Sequence, residues 1–69
     1  MLAMLYDIVI KGAHVENVYT TPDLLDEYME SAYGAVRDWY AAIPGEHHFV
    51  LSDDRGADVI AYELEAMPN

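Results

Sequence analysis

The chain opens with an apolar run that only Asp7 interrupts, apolar residues recur every three or four positions in the middle, and apolar and polar residues alternate towards the C-terminal end. The segment Leu2–Ile10 is short, rich in β-branched and aromatic residues, and followed by Lys11-Gly12, which predicts a largely buried strand. Residues 13–20 alternate less regularly and are typical of either a second strand or an extended connection. We favour an edge strand that carries Glu16.

The middle of the chain predicts one long amphipathic helix from Pro22 to Ile43. Thr21 is a suitable N-cap, Pro22 suits the first helical position, and the periodic pattern stops at the Pro-Gly pair after Ile43. Gly34 would lie on the outward face and cost the helix about 1 kcal/mol relative to alanine. Steps of three or four residues place the apolar residues of this segment on one helix face. These residues are Leu25, Met29, Ala32, Val36, Trp39 and Ile43.

Two further strands are predicted after the helix. Glu46–Ser52 has a Phe-Val-Leu centre, Asp53–Gly56 has the composition of a turn, and Ala57–Ala66 alternates apolar and polar residues. These two strands are expected to pair as an antiparallel hairpin. The whole pattern predicts a single small α+β domain over residues 1–69, with the long helix packed on an antiparallel sheet of three or four strands.

Composition changes this picture mainly through charge. The chain has 69 residues, of which 13 are acidic and 3 are lysine or arginine, and its formal net charge is −10. An excess of this size repels nucleic acid and anionic membranes and attracts basic surfaces. We therefore expect a basic protein partner, and neither direct nucleic-acid binding nor membrane binding.

The apolar fraction of 54% bears on folding and assembly. Disorder requires low hydrophobicity, so we expect the chain to fold despite its self-repulsion. A domain of this size buries only about 60% of the surface of its unfolded chain, and a homodimer would cover the apolar excess. No segment has the roughly 20 apolar residues that span a bilayer, no targeting signal is evident and cysteine is absent, so we expect a cytoplasmic protein.

Candidate catalytic and metal-binding residues lack the spacing that their chemistry needs. His47 and His48 are adjacent and would point to opposite faces of a strand, while His14 is remote in sequence. If Gly56 held the sixth position of a calcium loop, the first would be Leu51, which has no oxygen ligand in its side chain. No phosphate-binding loop and no serine with a base at a motif spacing is present. We therefore expect no enzymatic activity, no metal and no cofactor.

The aromatic residues divide between the predicted core and the margins of the predicted helix. The residues expected in the core are Trp39, Phe49 and Tyr62. Tyrosine near a helix margin is a frequent anchor of protein interfaces. The residues in that position are Tyr28, Tyr33 and Tyr40.

The acidic residues form the candidate site. Charge runs usually form solvated faces, but such faces mix both signs and gain from opposite charges four residues apart. The predicted helix has five acidic residues and a single cationic one, Arg37, so its carboxylates are expected to have almost no partner within the chain. The last hairpin adds further carboxylates. The candidate partner-binding residues are Asp23, Asp26, Glu27, Glu30, Asp38, Asp53, Asp54, Asp58, Glu63 and Glu65.

Carboxylates three or four residues apart on a helix are spaced by about 4.5–6 Å along its axis, and phosphates on DNA also form closely spaced negative rows. The size, the lack of cysteine, the acidity and the segment TPDLLDEYMESAYGAVRDWYAAI resemble phage-encoded anti-CRISPR proteins of the DNA-mimic kind. The resemblance implies a stoichiometric inhibitor in the cytoplasm of the bacterial host cell. It would occupy the DNA-binding path of a CRISPR effector complex, such as a type I complex.

The sequence leaves alternatives open. It is also compatible with an antitoxin-like or regulatory module that masks a different basic protein, or with an anti-restriction protein. Adaptation to a salt-rich environment would explain the acidity without any partner. A small enzyme or ligand-binding dimer, with a pocket near His47 or His48, is the least favoured hypothesis.

Overall fold

The computed structural model describes residues 3–64, which form five strands and one helix. The elements are β1 (Met4–Ile10), β2 (Ala13–Thr20), α1 (Pro22–Tyr33), β3 (Ala35–Ile43), β4 (Glu46–Leu51) and β5 (Val59–Glu63). The α+β class, with one helix and an antiparallel sheet, is confirmed, but the sheet has five strands rather than three or four. The predicted outer ends of the first and last strands, at Leu2 and Ala66, lie outside the described residues.

Helix α1 begins where the sequence predicts. The Thr21 hydroxyl accepts a hydrogen bond from the Leu24 amide at 3.3 Å, and Pro22 occupies the first turn, where its missing N–H costs nothing. Asp23 also lies in this first turn, near the positive end of the helix dipole.

The predicted end of the helix at Ile43 is wrong, because α1 ends at Tyr33. Gly34 adopts a left-handed conformation with φ of 65°, and its amide donates to the Glu30 carbonyl at 2.9 Å. A left-handed glycine after the last turn is a common helix C-cap. The following residues are rich in β-branched and aromatic types and form β3 instead. Gly34 is thus the cap of the helix and not part of its outward face.

The strand order of the sheet is β2-β1-β5-β4-β3, and all neighbouring strands are antiparallel. The predicted hairpin of the last two strands is confirmed as the β4–β5 pair, and residues 13–20 form the edge strand that we favoured. Strand β5, the last in sequence, lies between β1 and β4. Helix α1 connects the two edge strands, so it crosses one face of the sheet.

The core lies between α1 and that face. Leu25 and Met29 are fully buried from the helix side, as the apolar stripe predicted, but Ala32 of the same stripe is exposed. The second half of the stripe is wrong, because Val36, Trp39 and Ile43 belong to β3 and are 50%, 78% and 49% exposed. The buried residues contributed by the sheet are Tyr6, Ile8, Ala35, Phe49, Val59 and Ala61.

The opposite face of the sheet has no helix over it in the described part of the chain. Strand pairing and alternation place several apolar side chains on this face, where each is partly exposed. These side chains are Leu5, Val9, Val50, Ile60 and Tyr62. Tyr62 therefore does not join Phe49 in the core as predicted. No helix within residues 3–64 has the length and apolarity required to cross a membrane.

Strand β3 leaves regular pairing in its middle. Arg37 is paired with Phe49 and Ala42 with His47, so residues 38–41 lie opposite a single residue of β4. We call residues 38–41 the β3 bulge. A bulge in an edge strand interrupts its row of backbone hydrogen-bonding groups and re-aims the side chains that it carries.

Candidate partner-binding surface

Half of the predicted acidic residues are exposed and have no ion pair within residues 3–64. Asp23, Glu27 and Glu30 lie on the outward face of α1, and Asp53 and Asp58 lie in the loop between β4 and β5. Within residues 3–64, none of these five side chains forms a salt bridge or a side-chain hydrogen bond. Their charge is balanced only by solvent and ions, as expected of a surface that attracts cations.

Four other predicted carboxylates have partners within the chain, which corrects the expectation that almost none would. Asp26 binds Arg37, Asp54 binds Lys11 at 3.1 Å, and Glu63 binds His47 at 2.5 Å. Asp38 lies in the β3 bulge instead of on a helix, and its Oδ1 accepts from the Tyr40 amide at 3.0 Å. The tenth predicted residue, Glu65, lies outside the described residues.

Arg37 is the centre of a polar network that joins α1 to the sheet. Its Nη2 and Nε donate to Asp26 Oδ1 at 2.6 and 2.9 Å, and its Nη1 donates to His47 Nδ1 at 2.9 Å. Because a guanidinium has no acceptor, His47 Nδ1 must be the acceptor, which leaves the ring proton on Nε2. That nitrogen then donates to Glu63 Oε2. The network orders the side chains beneath the β3 bulge.

Glu16 forms a second polar cluster between β2 and α1. Its carboxylate accepts hydrogen bonds from the hydroxyls of Tyr28 and Tyr33. The bond from Tyr28, followed by that from Tyr33, lowers the pKa of the Glu16 carboxyl. The bond to Glu16 raises the pKa of Tyr28, and burial followed by the same carboxylate raises the pKa of Tyr33. These two tyrosines therefore hold α1 on β2, whereas they were predicted as interface anchors.

Each histidine is bonded to a different carboxylate. His14 binds Asp7, His47 binds Glu63, and His48 binds Glu46 at 3.0 Å. In the part of the chain that the structure describes, no three histidine or acidic side chains come together as a metal site would require. The sequence did not indicate the His14–Asp7 and His47–Glu63 pairs, because their members are 7 and 16 residues apart.

The β3 bulge presents two aromatic side chains to solvent. Trp39 is 78% exposed and Tyr40 fully exposed, so the prediction of Trp39 in the core is wrong. The guanidinium carbon of Arg37 lies 5.5 Å from the centre of the Trp39 ring. The sequence signal for this site was Gly34, which ends the helix and turns the next segment into an edge strand.

Trp39 lines two grooves. One, of about 370 Å³, is lined by residues of the bulge and of the β3–β4 turn. The other, of about 390 Å³, extends to Arg55 in the loop after β4. Exposed aromatic rings beside carboxylates can bind cationic side chains through ring contacts and ion pairs. Comparison with protein-family models, with curated proteins and with solved structures found no match for this chain.

Proposed function

We propose that this protein is a non-enzymatic, acidic inhibitor that mimics DNA and occupies the basic DNA-binding surface of a bacterial defence complex. The observation that carries the proposal is the outward face of α1, where Asp23, Glu27 and Glu30 are exposed and form no ion pair within residues 3–64. The helix dipole accounts for Asp23 in the first turn but not for Glu30 near the other end of α1. Like charges four residues apart, such as Asp23 and Glu27, also destabilise a helix by a few tenths of a kcal/mol.

The spacing of the three carboxylates supports mimicry of a phosphate row. Steps of four and three residues separate them by about 6 and 4.5 Å along the helix axis. A groove of lysine and arginine side chains that binds closely spaced phosphates would accept such a row. Exposed carboxylates in the loop after β4, Asp53 and Asp58, extend the negative surface beyond the helix.

The most specific form of the proposal is an anti-CRISPR protein that acts on a type I effector complex in the cytoplasm of the bacterial host. It rests on the resemblance in size, charge and cysteine content. The partner is then a basic protein subunit, and no cofactor or metal takes part.

Displacement of DNA tests this function. The purified chain is added to a type I effector complex before a labelled target duplex, at low salt. We expect the chain to block DNA binding at a stoichiometric ratio, and excess duplex to block binding of the chain. Poly-glutamate of matched net charge is the control for charge without a fold, and it should inhibit only at much higher concentration. Simultaneous binding of the chain and the duplex would overturn the proposed mimicry.

The second candidate function is an antitoxin-like or regulatory module that masks a different basic protein. The observation that favours it is the exposed pair Trp39 and Tyr40, since tryptophan and tyrosine are typical anchors of protein–protein interfaces. Such a module would bind its partner whether or not that partner's nucleic-acid site is filled. The same displacement experiment therefore separates the two candidates.

The uncovered sheet face is a candidate homodimer interface. Its partly exposed apolar side chains, among them Ile60 and Tyr62, would be covered in a homodimer. Sedimentation equilibrium of the wild-type chain tests this assembly, and Ile60→Lys should make a dimer dissociate.

A further inference from the structure

The groove of about 370 Å³ beside the β3 bulge combines three kinds of surface. The indole of Trp39 forms one part, and the apolar residues Ile43 and Pro44 form another. Asp38 and Glu46, which are negatively charged residues, also line the groove. This combination matches a side chain with an apolar stem and a cationic end, since lysine and arginine lay their methylenes on apolar surface while the charged group seeks an acceptor.

The charges in this groove favour a cation. Arg37 also lines the groove, but its positive charge is offset by Asp26. The Oδ1 atom of Asp26 lies 2.6 Å from Nη2 of Arg37. Asp38 and Glu46 then remain as two negative groups. Oδ1 of Asp38 accepts from the Tyr40 amide, and Oε1 of Glu46 is bonded to His48. Each carboxylate keeps a second oxygen that has no partner within residues 3–64.

Trp39 is open to a ligand on this side of the molecule. The ring is 78% exposed even though the Arg37 guanidinium lies 5.5 Å from its centre. A cation within about 6 Å of an indole centre is attracted to the ring, and the attraction grows when water is excluded. The bulge also prevents regular strand addition here, so recognition would depend on side chains rather than on backbone pairing.

We infer that this groove binds a lysine or arginine side chain that projects from a basic protein partner. The inference rests on the proposed function. The groove would be a second contact point for the partner, remote in sequence from the α1 carboxylates. The cation would contact the carboxylates of Asp38 and Glu46, while its stem lies against Trp39.

Charge complementarity favours such a partner over a second copy of the chain. The net charge is −10, so a second copy has little positive charge to offer to this groove. Of the three cationic side chains, Lys11 and Arg37 are ion-paired within the chain. Only Arg55 has no ion pair within residues 3–64, and it lines the neighbouring groove.

Trp39 is the only tryptophan in the chain, so tryptophan emission reports directly on this groove. The test is a titration at low salt with a labelled, end-capped peptide of alternating arginine and alanine. Peptide anisotropy measures binding, and Trp39 emission measures occupancy of the groove. The same peptide with glutamine in place of arginine is the control ligand and should leave the emission unchanged.

Two double variants with the same change in net charge make the test specific. Asp38→Asn with Glu46→Gln alters the groove, and Glu27→Gln with Glu30→Gln alters the outward face of α1. We expect the groove variant to weaken peptide binding at least about tenfold and the helix variant less than about threefold. Trp39→Ala keeps every charge and should weaken binding about threefold through loss of the ring contact. Circular dichroism confirms that each variant is folded.

Three results would overturn the inference: equal weakening by the two double variants, peptide binding without a change in Trp39 emission, or emission that depends on protein concentration without peptide. The last result would mean that a second copy covers the groove. None of them affects DNA displacement by the wild-type chain, which decides the proposed function separately.

Discussion

The side chain of Arg37 connects β3 to both α1 and β4. It binds Asp26 of α1 and His47 of β4, and its guanidinium carbon lies 5.1 Å from the centre of the Phe49 ring. The Arg37 side chain is only 16% exposed, so water cannot easily replace these contacts. The pair therefore differs from an ordinary surface salt bridge, whose contribution is small.

Replacement of Arg37 by methionine is expected to destabilise the fold by about 2 kcal/mol, because Asp26 and His47 both lose a partner at a partly buried site. Lys11→Met is the matched control, since the Lys11–Asp54 pair is 64% and 45% exposed. That control should cost less than about 0.5 kcal/mol. Urea denaturation measures both values, and equal losses would contradict the structural role of Arg37.

Glu16 makes the stability of the fold depend on pH. Hydrogen bonds from Tyr28 and Tyr33 lower the pKa of its carboxyl in the folded state. A lowered folded pKa stabilises the fold above the unfolded pKa of about 4.3, and this contribution is lost as the pH falls through the folded pKa. Glu16→Gln keeps an acceptor but removes the charge.

We therefore expect wild-type protein to be more stable than Glu16→Gln at neutral pH, and the difference to shrink as the pH falls below about 4. Denaturant titrations of both proteins over a series of pH values measure this difference. A difference that stays constant down to about pH 2 would show that the charge of Glu16 is not involved.

At the scale of the elements, Gly34 decides where α1 ends and β3 begins. Its φ of 65° is in the left-handed region, and a Cβ at this position would contact nothing within 4 Å. Gly34→Ala is therefore expected to cost about 1–2 kcal/mol through backbone conformation alone. Gly56→Ala is the control, because its φ is not left-handed and its Cβ would lie 3.9 Å from Asp54 Oδ1.

The Gly56 variant should change the free energy of unfolding by less than about 0.5 kcal/mol. Thermal and urea denaturation of both variants provide the comparison. If the two substitutions have the same effect, the left-handed cap does not determine the end of the helix.

The sequence predicted the elements well wherever one pattern applied. Thr21 and Pro22 indicated the start of α1, the β-branched and aromatic residues of β1 indicated the first strand, and alternation indicated the last one. Residues 35–43 were predicted as helix because Val36, Trp39 and Ile43 recur at helical spacing. The β3 bulge also breaks the alternation that a regular strand would show. Gly34 was the residue in the sequence that indicated the end of the helix, because glycine is the common C-cap residue.

The candidate site was predictable only in its local part. The outward position of Glu27 and Glu30 follows from the helix period and from the buried Leu25 and Met29. Asp26 and Arg37 are 11 residues apart, and their pairing depends on how α1 packs against β3, which residue spacing does not encode. The exposed ring of Trp39 depends on the bulge and was missed for the same reason.

At the scale of the whole molecule, the excess of negative charge is partly neutralised inside the fold and partly left outside. Paired acids such as Asp26 and Glu63 hold elements together. Unpaired acids on α1 and in the loop after β4 leave a negative surface, and the β3 bulge adds exposed aromatic rings. These two kinds of surface together are what a basic partner would recognise.

The affinity of the Glu27→Gln, Glu30→Gln variant for a type I effector complex at low salt tests the central claim most directly. Val15→Lys with Asn17→Lys is the matched control, because it raises the net charge by the same amount at exposed positions of β2. We predict at least about tenfold weaker binding for the helix variant and less than about threefold for the control. Equal losses, or no loss for the helix variant, would contradict the claim that the outward face of α1 is the binding surface.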